Sequence, residues 1–180
     1  GLKIINLKKN LGLKTLIEIC KIESKTSTYH LGYIIGPRIN AGGRVGKCSH
    51  GANLLLNRNP KESYQIATEL ENFNNERKNL EKDLLNVALN AISKNINDSV
   101  LVLQGKNWHE GVIGIIASRI KDKFNKPTII ISLNNKIGKA SARSIIGFDI
   151  GAVILSALQN NILLKGGGHK MAGGFSIHED

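Results

Sequence analysis

Apolar residues recur every three and four positions at Ile66, Leu70, Phe73, Leu80, Leu84, Val87 and Ala91, with Arg77 in the same series, and this stripe constrains the chain most. Such spacing lays one face of a single helix against a partner for roughly seven turns. Asn59-Pro60 opens it, because asparagine accepts from free amides of the first turn and proline at the first helical position loses no needed donor. The same steps match a heptad seam, so a coiled-coil dimer competes as a reading. Arg77 interrupts the stripe and asparagines flank it, which favours a helix that packs on or bridges two domains of one protein.

The flanks read differently from each other. Before the long helix, residues 11–23 are expected to form a short helix and residues 28–35 an extended segment. Gly36-Pro37 is expected to force a turn, and residues 47–56 return to helix. After it, residues 95–98 break the pattern. Strands are expected at 99–104, 127–132, 136–144 and 175–177, and helices at 112–124 and 149–158. The expected architecture is α/β, with a helical segment at residues 1–58, a connector helix at 59–97 and a small mixed-sheet domain at 98–180.

Twenty-five Lys and Arg against 14 Asp and Glu leave a formal charge of +11 on 180 residues, which favours a polyanionic partner such as nucleic acid. No run approaches the roughly 20 apolar residues that span a bilayer, and no secretory signal opens the chain, so a cytoplasmic protein without a membrane partner is expected. Cys20 and Cys48 have no metal-ligand spacing and read as reduced thiols. Aromatic residues at 4% speak against a surface built mainly on base stacking.

Several chemistries are missing from the sequence. No DxD, His-His or HExxH occurs, and Cys48 with His50 makes only two ligands, so no metal site is expected within the chain. No G-x-S-x-G turn is present. Residues 41–48 miss the phosphate-loop pattern, with Ala41 for the first glycine and Cys48 for the metal-binding hydroxyl.

What remains are polar, glycine-rich islands. Gly36-Pro37-Arg38-Ile39-Asn40-Ala41-Gly42-Gly43-Arg44 reads as a loop whose arginines suit bidentate phosphate recognition, or equally as a solvated connection. In Ser141-Ala142-Arg143-Ser144, strand alternation puts Ser141 and Arg143 on one face, where hydroxyl and guanidinium together fit a terminal phosphate; an exposed strand face is the plainer reading. Lys165-Gly166-Gly167-Gly168-His169-Lys170 reads as a phosphate cradle of backbone amides with a short helix opening there. Trp108-His109-Glu110-Gly111 fits a ligand contact or a core residue and helix cap equally well.

In this order the islands resemble the RecJ-type single-strand-specific exonucleases of the DHH phosphoesterase superfamily. The resemblance rests on Gly36-Pro37-Arg38-Ile39-Asn40-Ala41-Gly42-Gly43-Arg44, then Trp108-His109-Glu110-Gly111-Val112-Ile113-Gly114. It continues through Ser141-Ala142-Arg143-Ser144-Ile145 with Gly147-Phe148-Asp149, and Gly166-Gly167-Gly168-His169-Lys170-Met171-Ala172-Gly173-Gly174. Gly42 stands where the family commonly has alanine and Ala142 where it commonly has glycine.

The resemblance implies that residues 1–58 end a catalytic DHH domain and that 98–180 form the DHH-associated, substrate-binding domain. The whole enzyme would be a 5′-3′ exonuclease of DNA repair and recombination, using Mn2+ or Mg2+ held outside this chain. By position, Arg38 or Arg44 with Ser141 and Arg143 would take the 5′ phosphate. Gly166, Gly167, Gly168 and His169 would hold a neighbouring phosphate, and Asn40, His109 and Ser144 complete the set. The partner implied is single-stranded DNA bound by a monomer, alongside a single-strand-binding protein and a helicase. No catalytic residue is expected here, so the chain alone should be inactive. Two alternatives stay open: a DHH-family phosphatase or oligoribonuclease for very short oligonucleotides, and a non-catalytic nucleic-acid-binding module.

Overall fold

The computed structural model describes residues 1–92 and 97–179, and the chain falls into two compact units, residues 1–79 and 80–180. The first unit is helical. It contains α1 (Leu2–Asn6), α2 (Leu11–Ile19), a helical run over residues 28–45 that ends in α3 (Gly36–Val45), then α4 (His50–Leu56) and the first part of α5 (Pro60–Ile92). Within that run a π-helical turn (His30–Ile35) continues directly into α3. Leu16, Ile17, Ile35, Leu54, Ala67 and Leu70 make the core of this unit. A Cβ on Gly12 would overlap the Leu54 carbonyl, so glycine lets α2 sit directly on α4.

The extended segment and turn expected over residues 28–37 are corrected here, because Pro37 lies inside helix. A proline there lacks its amide and would crowd the carbonyl four residues back. The π turn widens the helix just upstream, with the Gly36 amide donating to the Leu31 carbonyl five residues earlier, which makes room for the ring. Glycine is needed at 36, since a Cβ would stand 2.7 Å from the Leu31 oxygen.

The long helix α5 has 33 residues, about 50 Å of continuous helix. Asn59 opens it as expected, its Oδ1 accepting from the Lys61 amide at 3.0 Å. Its buried line is rotated from the expected stripe, however. Ser63, Ala67, Leu70, Asn74, Glu81, Leu84, Ala88 and Ile92 are buried, whereas Val87 is exposed. The apolar pattern missed this because Ser63, Asn74 and Glu81 occupy core-facing positions. Glu81 is held by an ion pair with Arg119. Residues 93–96 lie outside the described residues, and with them part of the expected break at 95–98 and the last residues of the expected connector before its end at 97, which is a turn.

The second unit contains β1 (Leu101–Lys106), α6 (Glu110–Phe124), β2 (Thr128–Asn134), β3 (Ile137–Arg143), α7 (Ile150–Gln159), β4 (Lys165–His169) and β5 (Ala172–His178). The sheet runs β1-β2-β3-β5-β4. Only β1 and β2 pair parallel, joined through α6. One face packs Leu101, Leu103 and Ile130 against Val112, Ile116 and Ile120 of α6. The other packs Ala142 and Phe175 against Ile150 and Ile154 of α7. Because α6 lies over β1, β2 and β3 while α7 lies over β5 and β4, each helix covers a different half of a different face.

Strand β4 overturns the helix-opening loop expected at 165–170. Glycine is a poor strand former, but the close packing of α7 on this edge fixes one glycine in β4, one in β5 and one in α7 itself. A Cβ on Gly166 would stand 2.9 Å from Ile154 Cγ2, one on Gly173 would run into Ile154 Cδ1, and one on Gly151 would stand 2.9 Å from the His169 carbonyl. Close approach of the helix to the sheet edge requires glycine on both sides. Both cysteines are free. Among the described residues no helix is long and apolar enough to cross a membrane.

Candidate nucleic-acid interface

In the second unit the strand register places the expected residues more firmly than motif order does. Ser141 pairs with Gly174, which pairs with Gly167; Arg143 pairs with Ala172, which pairs with His169. Residues paired across a sheet share a face, so Ser141, Arg143, Gly174, Gly167 and His169 all point to the α6 side. Lys139, Ser176 and Lys165 form the next row on that side. Helix α6 does not reach over β5 and β4, so this half of the face has a floor of Gly167, Gly174 and Ala172. Lys139, Lys165, Arg143 and His169 stand around it.

The floor is low by composition. A Cβ on Gly167 would meet nothing within 4 Å, and one on Gly174 only a backbone oxygen of Ala140 at 3.2 Å. Neither residue has positive φ, so neither packing nor backbone conformation demands glycine at 167. Glycine in a strand interior costs about 0.5–1 kcal/mol relative to alanine, so Gly167 stands here without a structural requirement and leaves the strand backbone accessible from this side.

Arg143 Nη1 donates to Ser141 Oγ at 3.1 Å and to the Ala142 carbonyl at 2.7 Å. The guanidinium and hydroxyl are therefore held side by side. Gly114 of α6 sets the space above them, since a Cβ there would stand 3.0 Å from both Arg143 Nη2 and Ser141 Oγ. As the outer strand, β4 also turns alternate backbone amides away from β5 toward its open edge.

Other expected residues fall elsewhere. Ser144 is buried, and its hydroxyl donates to the Phe148 carbonyl at 2.7 Å, closing the turn after β3. Gly166 faces α7, opposite Gly167, and Gly168 alternates to that side as well. The expected cradle of three successive glycines is thus one floor glycine between two on the packing side. His109 is exposed and caps α6, its Nδ1 accepting from the Gly111 amide at 3.1 Å. In the neutral ring the proton therefore sits on Nε2. His169 Nδ1 accepts in the same way from the Met171 amide at 3.3 Å.

In the first unit the island over residues 36–44 is a helix, which separates its residues. Arg38 turns inward: both arms of its fork donate to the Glu71 carboxylate and Nη1 to the Ile34 carbonyl at 2.8 Å. Its side chain is 13% exposed. Asn40 and Arg44, four residues apart on α3, are exposed on a common face. Lys139 was not singled out from sequence, and Lys165, Gly174 and Gly114 stood within the islands without a placement of their own. Period-two alternation across a β4–β5 hairpin would have put Lys165 and Gly174 on this face, had the glycine run been read as strand.

Among the described residues no group of three or more His, Cys, Asp and Glu could hold a metal ion.

Residues 97–180 match the model of the DHHA1 domain family. The chain is 37% identical over 181 residues to the single-stranded-DNA-specific exonuclease RecJ of Haemophilus influenzae, covering 94% of this chain and 31% of that protein. It is 29% identical over 181 residues to the Bacillus subtilis protein of the same name, covering 98% of this chain and 23% of the relative. The crystal structure of RecJ from Thermus thermophilus in complex with Mg2+ superposes with a TM-score of 0.86 at 30% identity, covering 99% of this chain and 27% of that one. The Mn2+ complex of that protein gives the same TM-score, 0.86. The chain thus spans about a third, or less, of the length of the relatives it matches.

Proposed function

We propose that this chain, which belongs to the RecJ family and carries its DHHA1 domain at residues 97–180, is the substrate-holding part of a single-stranded-DNA-specific 5′-3′ exonuclease. Ser141 and Arg143 grip the terminal 5′ phosphate. Gly167, Gly174 and His169, with the edge amides of β4, take the next phosphate along the strand. The reading is carried by the open half-face of the sheet, floored by glycine that the fold does not need and rimmed by Lys139, Lys165, Arg143 and His169.

The chemistry favours an end over an interior phosphate. A terminal phosphate carries roughly −1.5 to −2 charges at neutral pH, and a guanidinium beside a hydroxyl offers it donors already in place. The RecJ structures contain Mg2+ or Mn2+, and no cluster among the described residues of this chain fits such an ion. Cleavage therefore belongs to residues outside it, and the chain alone binds without cutting.

Binding of labelled single strands with a 5′ phosphate or a 5′ hydroxyl tests the assignment, with duplex as control. The Arg143→Ala change is expected to weaken the phosphorylated end by about 1.5–3 kcal/mol, since it removes a charge-assisted contact. The hydroxyl end should be much less affected. Equal losses at both ends would sink the assignment, and cleavage by the chain alone in Mn2+ would refute the division of labour.

A further inference from the structure

The helical run over residues 28–45 presents an outward face that the phosphate site leaves unused. Tyr29 and Tyr33 stand on it, followed by Asn40 and Arg44. The two tyrosine rings stack, with centroids 5.2 Å apart and planes inclined by 28°. Yet Tyr29 is 60% and Tyr33 74% exposed. Gly32 and Gly43 are exposed on the same run, and a Cβ on either would meet nothing within 4 Å. Neither has positive φ. Glycine is the poorest helix former after proline, yet neither Gly32, next to Tyr33, nor Gly43, about 15 Å further along the run, is required by packing or backbone conformation. Both let a body outside the fold come close to the helix backbone.

Charge here has one sign. No Asp or Glu occurs between Glu23 and Glu62, whereas Lys25, Arg38, Arg44, Lys47, Arg58 and Lys61 fall in that interval. Arg38 is turned inward to Glu71, so Arg44 is the exposed cation of α3. Flat exposed rings, with an exposed guanidinium further along the same helical run, fit a polyanion whose every unit carries a flat face. The low aromatic content limits how many such rings exist, but does not prevent two from coinciding.

We propose that this face is a base-stacking platform for unpaired nucleotides: a nucleobase packs on the Tyr29–Tyr33 stack, while Asn40 and Arg44 take the sugar-phosphate backbone, with Arg44 about 16 Å further along the helix. The inference rests on the single-strand-binding reading above and adds a second, base-dependent contact to it. Stacking of this kind tolerates any base, which suits a protein that must pass along arbitrary sequence.

Two oligonucleotides of equal length and charge test it on the 180-residue chain, one of thymidines and one with abasic sugars at every interior position. The unsubstituted chain should bind the base-bearing strand roughly ten-fold more tightly. Tyr29→Ala and Tyr33→Ala should each remove most of that preference and leave abasic binding unchanged, while Tyr33→Phe restores it. Both residues are solvent-exposed, so the alanine variants should unfold at the same urea concentration as the parent.

Three outcomes overturn the platform. Preference retained in the alanine variants places stacking elsewhere. Equal losses on both strands mean that the tyrosines support the fold or the charge rather than a base. A parent chain that binds both strands equally has no base-dependent contact for this face to supply. Failure of the parent chain to bind either strand would instead remove the single-strand reading itself, and the platform with it.

Discussion

The side chain that Gly166 lacks would stand 2.9 Å from Ile154 Cγ2 and 3.0 Å from Phe175 Cβ, whereas that of Gly167 would meet nothing within 4 Å. Adjacent glycines in one motif therefore answer to different demands. Gly166→Ala should overpack the α7 side and cost about 1–3 kcal/mol in urea unfolding. Gly167→Ala should leave stability unchanged or raise it by about 0.5 kcal/mol, because alanine loses less backbone freedom on folding. Its effect should appear in weaker single-strand binding. If Gly167→Ala binds like the parent chain, the glycine floor has no role in binding. Single residues were partly legible in the sequence: the shared face of Ser141 and Arg143 followed from alternation alone. The fate of Arg38 did not, because its partner Glu71 lies 33 positions away and no local pattern announces such a pair.

Elements were legible where local chemistry and apolar period agreed. Asn59-Pro60 marked the start of α5, and Asp149 caps α7 through the Ala152 amide at 3.0 Å. They were illegible where tertiary packing overrode propensity, as in β4, where Gly166 makes sense only once α7 is placed above it and Gly168 only once β5 is paired beside it. Pro37 misled for the opposite reason, since a π turn several residues upstream absorbed its geometry. The contact of α4 with α5 yields a test at this scale. Hydrogen bonds from His50 and, less strongly, Gln65 hold the Glu69 carboxyl below its ordinary value. A carboxylate lowered in the folded state stabilises above its unfolded value, and that contribution is lost as pH falls through the folded value. The stability difference between the parent chain and Glu69→Gln should shrink as pH drops below about 4.5. A difference that does not change with pH, read from urea midpoints, would remove the ion pair from the account of this unit.

At the scale of the whole molecule, charge acts on both units at once. The surplus of Lys and Arg runs through the sequence, and its effect on binding a polyanion is release of counterions. Affinity for single strands should fall linearly with salt on logarithmic axes, while the ratio between phosphorylated and hydroxyl ends persists. Loss of that ratio together with affinity as salt rises, or equal binding of duplex, would reduce recognition to general charge. Composition alone pointed to a polyanion, but only the fold shows where glycine floors and basic rims coincide. The β3, β5 and β4 rows also have a consequence of parity. In β3 and β4 the odd-numbered residues face the α6 side and the even-numbered ones face α7; in β5 the sense is reversed. One residue added within β4 would exchange the two sets downstream, turning packing glycines outward and driving His169 toward the helix. Drift in this hairpin can proceed only by steps that preserve odd and even, so the open basic face and the seating of α7 must change together.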